Sequence, residues 1–68
     1  MKICDFTRQE VEYYLIEGNF TKEEEEVYLM LSKGYTYEQV AELCNMGVST
    51  IKRIKSRIWT KIERIKSL

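Results

Sequence analysis

The chain has 68 residues, enough for one compact domain and too few for two, so a single small core must support every function. Hydrophobic residues make up 44% and charged residues 32%, a globular balance; with no proline and three glycines, the composition disfavours a turn-rich β architecture and points to an all-α fold. Eleven basic and eleven acidic side chains cancel to a net charge of zero, which as an average argues against a phosphate-rich partner.

Three helix starts are written in the same way. A Thr whose hydroxyl accepts from the backbone N–H three residues on is followed, at that third residue, by a Glu or Gln that reaches back: Thr7 with Glu10, Thr21 with Glu24, Thr36 with Gln39. At the first and third starts, Phe6 and Val11, and Tyr35 and Val40, also have the spacing of a hydrophobic staple; at the second, Phe20 faces Glu25 and only the box applies.

The first helix is expected over residues 8–17, with Val11, Tyr14 and Leu15 inward and Gly18 and Asn19 ending it in a left-handed conformation. The second is expected over residues 22–33, stopping at Gly34, with Val27, Met30 and Leu31 as its apolar stripe. Its run from Glu23 to Glu26 reads first as a solvated helix start favoured by the macrodipole, and second as an acidic patch for a basic partner. The third, about two turns from Tyr37 to Cys44 or Asn45, is expected to bury Val40, Ala41, Leu43 and Cys44.

The fourth helix starts at Val48 or Ser49 and runs to about residue 66. Val48, Ile51, Ile54, Ile58, Ile62 and Ile65 recur at steps of three and four, so the period is helical although the residues are β-branched. This helix also changes the meaning of the zero net charge. Residues 1–47 carry four basic and ten acidic side chains, a net −6, whereas residues 48–68 carry seven basic side chains and Glu63 alone, a net +6. The chain is therefore an acidic body with a basic last helix. Trp59, Ile62, Ile65 and Leu68 carry apolar residues on toward the end of this helix, where packing against the first helix is the favoured reading and self-association through the last helix the alternative.

Between the third and fourth helices the spacing is that of a helix-turn-helix. Counted from Tyr37 as the first position, Val40 and Ala41 are fourth and fifth, Cys44, Asn45 and Met46 eighth to tenth, and Ile51 and Ile54 fifteenth and eighteenth. Ala41 is small enough to let two helices cross closely, Asn45 sits where the turn needs a left-handed residue, and Met46 fills the angle. On the face opposite the isoleucines stand Ser49, Thr50, Lys52, Arg53, Ser56 and Arg57, a set able to bond phosphates and read base edges in a major groove. Arg53 is the candidate for a bidentate guanine contact. Lys52, Lys55 and Arg57 are candidates for phosphate, and Thr36 and Tyr37, at the start of the third helix, for the strand that this helix crosses.

Phe20, Thr21, Glu24 and Val27, then Leu29 and Leu31, Gly34 and Thr36, Gln39 to Glu42, and Thr50 to Lys52 follow one another without gaps in an order that resembles region four of bacterial sigma factors and the related LuxR-type regulator domain. Those families read roughly L-T-x-x-E-x-x-V-x-x-L, then G-x-S-x-x-E-I-A, then T-V-K. The resemblance covers residues 20 to about 62 and implies a compact four-helix domain. In it, residues 1–19 add an N-terminal helix to a sigma region four-like core over residues 20–66. Two departures stand out: Asn45, Met46 and Gly47 replace the usual Gly-Ile-Ser turn, so the last helix lacks a serine cap, and Lys55 stands where an apolar residue is usual.

The resemblance implies a sequence-specific protein of transcription that binds double-stranded DNA, acts with RNA polymerase or another transcription protein, and forms a homodimer through the C-terminal helix or attaches to a partner. The alternative is a module that binds RNA polymerase or a sigma factor with weak or no DNA contact. Catalysis is not expected, since there is no histidine, no glycine-rich phosphate loop and no nucleophile beside a base. Cys4 and Cys44 lack metal-ligand spacing and read as free thiols, so no metal or cofactor is expected. Nothing resembles a membrane span or a signal peptide, which makes the cytoplasm the expected location.

Overall fold

The computed structural model describes residues 3–67. A short 3-10 turn, Ile3–Asp5, precedes four helices: α1, Arg8–Glu17; α2, Lys22–Ser32; α3, Tyr37–Cys44; and α4, Val48–Lys66. No strand occurs among the described residues.

All three capping boxes form. Thr7 Oγ1 accepts from the Glu10 amide at 3.1 Å while the Thr7 amide donates to Glu10 Oε1 at 3.0 Å, and Thr21 with Glu24 and Thr36 with Gln39 repeat the exchange at 2.9 to 3.2 Å. α1 ends where the Gly18 amide donates to the Tyr14 carbonyl at 2.8 Å and Asn19 turns left-handed, at φ 52°. A side chain at position 18 is excluded, because a Cβ would stand 2.5 Å from the Tyr14 carbonyl oxygen. α2 stops at Lys33, ahead of Gly34 at φ 91°.

α4 is the central element, packing most extensively on α2 and α3 and also touching α1. Ile51, Ile58 and Ile62 are fully buried, together with Val27, Tyr28 and Val40; Ile54, Ala41, Leu31, Tyr14, Phe6 and Ile3 complete the core. Among the described residues, Ile51, Ile54, Ile58 and Ile62 of α4 are thus covered by the chain's own helices, while Val48 and Ile65 at its two ends are half-buried.

Four expectations need correction. Leu43 is 61% exposed: Val40, Ala41 and Cys44 already fill the inward arc of an eight-residue helix, and Leu43 lies outside it. The stripe of α2 runs through Tyr28, which is fully buried, while Met30 is half-buried. Tyr28 tolerates burial because its hydroxyl donates to the Val11 carbonyl at 3.0 Å. Glu24 is buried rather than solvated. Finally, the core begins ahead of α1: Phe6 stacks on Trp59 with centroids 6.0 Å apart and meets Tyr14 at 5.2 Å, so Trp59 is covered from the 3-10 turn side. Of the late apolar residues read as packing on α1, Leu68 lies outside the described residues.

Candidate nucleic-acid interface

The crossing of α3 and α4 follows from three residues. Ala41 is buried at 6% exposure, Asn45 takes the left-handed conformation at φ 56° and ψ 46°, and Met46 is half-buried against the core, with its amide donating to the Ala41 carbonyl at 2.9 Å. Asn adopts that conformation more readily than other non-glycine residues, so the turn closes without glycine.

Burial on one side of α4 fixes what the other side presents. Ser49, Thr50, Lys52, Arg53, Ser56 and Arg57 are all exposed, as is Thr36; Tyr37 and Lys55 are half-buried. The Lys52 ammonium lies 5.8 Å from the centre of the Tyr37 ring, which joins the start of α3 to the first turns of α4 in one surface. Lys55 is drawn the other way, its ammonium 5.8 Å from the Trp59 ring, at the edge of a shallow cleft bordered by Leu31, Tyr35 and Tyr37. The Lys stem covers apolar surface there and the charge stays wet, which is how a cation stands where related patterns have an apolar residue.

Backbone donors are left open at the starts of both helices. In α3 the capping box uses the Thr36 and Gln39 amides, leaving those of Tyr37 and Glu38 directed outward. In α4, Gly47 is the N-cap and makes no side-chain bond, so the first-turn amides of Val48, Ser49 and Thr50 keep their donors for an external acceptor. The missing serine cap thus leaves the α4 terminus open to an anion.

Among the described residues, Lys52, Arg53, Lys55 and Arg57 make no ion pair within 4 Å. Lys61 differs. Its ammonium donates to Glu24 Oε1 and, at 3.3 Å, to the Asn19 carbonyl, and lies 6.0 Å from the Phe20 ring. Burial pushes the Glu24 carboxyl up. The hydrogen bond from Lys61, that from the Thr21 amide and the charges of Lys61 and Arg57 outweigh it and hold the group below its ordinary value. Lys61 therefore ties α4 to the α1–α2 turn, a role that no local pattern in the sequence indicates.

Cys4 and Cys44 are free thiols, and burial, then the charges of Glu26 and Glu23, push the Cys44 thiol up. Among the described residues, no three Cys, Asp or Glu side chains are placed to hold a metal ion, and no helix is long and apolar enough to cross a membrane. Two exposed residues on the basic face, Thr60 and Arg64, were absent from the sequence-based site, although helical spacing carries the face that far.

Residues 21–57, which span α2, α3, the turn and the first half of α4, match the family described as the helix-turn-helix domain of resolvase. No curated protein and no solved structure matches the chain.

Proposed function

Because the chain belongs to the family of resolvase helix-turn-helix domains, we propose that it is a sequence-specific double-stranded DNA-binding protein that inserts the first turns of α4 into the major groove. The observation that carries this reading is the continuous exposed face of Ser49, Lys52, Arg53, Ser56 and Arg57, free of ion pairs among the described residues and flanked by the open amides of α3 and α4. Arg53, central on that face, reads a guanine through a bidentate contact; Lys52, Lys55 and Arg57, with Thr36 and Tyr37, hold phosphates; Ser49, Thr50 and Ser56 line the groove. The finer role is that of a cytoplasmic transcription regulator similar to sigma region four, one domain over residues 1–68 with its core at 20–66, working beside RNA polymerase.

A second reading, a module that docks on a transcription protein, is favoured by the acidic surface of α1 to α3 and by exposed Leu43 and Ile16. Duplex titrations at two salt concentrations separate the two. Binding through several phosphates weakens steeply as salt rises. Arg53→Ala is expected to lower affinity for the preferred sequence about 10- to 100-fold and to relax specificity, and Lys52→Ala to weaken all sequences alike. Absence of binding at low salt, or binding unchanged when Arg53→Ala and Lys52→Ala are combined, overturns the DNA reading.

A further inference from the structure

We propose that the DNA interface continues past the matched helix-turn-helix and includes Arg64, which binds a backbone phosphate on the strand bounding the groove at the Arg57 side. This rests on the reading of the chain as a DNA-binding protein. The family match ends at residue 57, yet α4 runs on to Lys66. A 19-residue helix is about 28 Å long and the major groove about 12 Å wide. A helix that enters with its first turns and crosses at an angle therefore passes its remaining turns over a bounding strand.

The two flanks of α4 are distinguishable. Lys52, above the Tyr37 ring, marks the flank toward α3, and Arg57, whose charge reaches Glu24 at the start of α2, marks the other. Eleven residues make about three helical turns, so Glu63 falls in line with Lys52 while Arg64 falls in line with Arg53. Arg64 is also about two turns beyond Arg57. One flank thus ends in a carboxylate that repels phosphate, the other in a guanidinium that chelates it through two parallel N–H bonds.

The neighbouring groups single out Arg64. Lys61 is held by Glu24 and Asn19, and the Lys66 ammonium sits 5.5 Å from the Trp59 ring and 5.8 Å from that of Phe6. The Thr60 hydroxyl donates to the Ser56 carbonyl at 3.0 Å, so it offers a small side chain and no free proton between Arg53 and Arg64. Arg64 is exposed and, among the described residues, makes no ion pair within 4 Å, although Glu17 borders the same small cleft.

The test is the salt dependence of binding to a labelled mixed-sequence duplex of about three helical turns, with the full chain, Arg64→Ala, Arg64→Lys and Arg53→Ala, each checked for unchanged helicity. One phosphate contact contributes about 0.9 to the slope of log affinity against log salt. Between 50 and 200 mM salt, Arg64→Ala is therefore expected to lose about 3.5-fold less affinity than the unaltered chain. Arg64→Lys should retain the slope, and the Arg64→Ala loss should be equal on all sequences. If Arg53→Ala weakens binding while Arg64→Ala changes neither affinity nor slope, the extension is overturned and DNA binding stands. If the unaltered chain does not bind at low salt, both fall.

Discussion

The two halves of α4 carry positive charge to different ends. In residues 48–57, Lys52, Arg53 and Arg57 are exposed and, among the described residues, make no ion pair within 4 Å, whereas in residues 58–66 Lys61 is folded back onto Glu24 and Lys66 onto two aromatic rings. What separates them is the element opposite: the buried Glu24 carboxylate at the start of α2 needs a cation, and Lys61 supplies it through a direct hydrogen bond. A count of charges along a helix therefore overstates the charge available to a partner. Contacts across the fold decide how much remains.

The largest effect should come from the core that both halves share. Ile58 is fully buried near the junction of the two halves, and Ile58→Ala is expected to cost about 2–5 kcal/mol in urea denaturation, with DNA binding lost through unfolding. Arg53→Ala, exposed on the opposite face, should leave stability within about 0.5 kcal/mol while weakening DNA. If Arg53→Ala destabilises as much as Ile58→Ala, the division of α4 into a buried and a reading face is wrong.

A smaller effect, of the opposite specificity, is expected at the clamp. Lys61→Met leaves Glu24 buried without its cation and should cost about 2 kcal/mol, moderated because the Lys61 side chain is 29% exposed. Affinity for DNA should change far less than in Arg53→Ala. The effect should depend on pH. Because the folded Glu24 carboxyl titrates below its ordinary value of 4.5, its contribution is fully present above that value and is lost as pH falls through the folded pKa. In Lys61→Met the hydrogen bond and the charge of Lys61 are gone, so the carboxyl titrates higher than in the unaltered chain and protonation relieves the variant. Stability measured across the acid range should show the gap to the unaltered chain closing below about 4.5; a constant gap would remove the ion pair as its cause.

The same distinction explains what could be read in the sequence. The starts of α1, α2 and α3 were legible because each capping box is closed within four residues, and α4 because its isoleucines repeat at the helical period. The Asn45 turn and the exposed basic face followed from the same local spacing. Burial of Glu24 was not legible: it depends on a partner 37 residues away, and four consecutive glutamates give no sign of which one turns inward. Tyr28 was missed because its burial depends on the Val11 carbonyl of another helix, and Leu43 was misplaced because eight residues define the inward arc too loosely. The residues that resemble sigma region four, from 20 to about 62, contain those that match the resolvase-type family, 21–57, so one stretch of sequence carries both likenesses.

The smallest effect probes the cap that sets α4 apart from the other three helices. Gly47 is the N-cap at φ −77° and ψ 154°, a conformation open to any residue, and an added Cβ would meet nothing closer than 4.0 Å, at the Ser49 and Thr50 hydroxyls. Gly47→Ser therefore introduces no strain and supplies an acceptor for the amide of Ser49 or Thr50, for a gain of a few tenths of a kcal/mol in denaturation. The DNA side should move the other way. A serine oxygen that takes up one of these amides removes a donor directed at phosphate, so affinity should fall slightly, by less than in Lys52→Ala, and the loss should be equal on all sequences. A variant that is more stable and binds DNA more tightly would show instead that the bare terminus of α4 does not serve the phosphate.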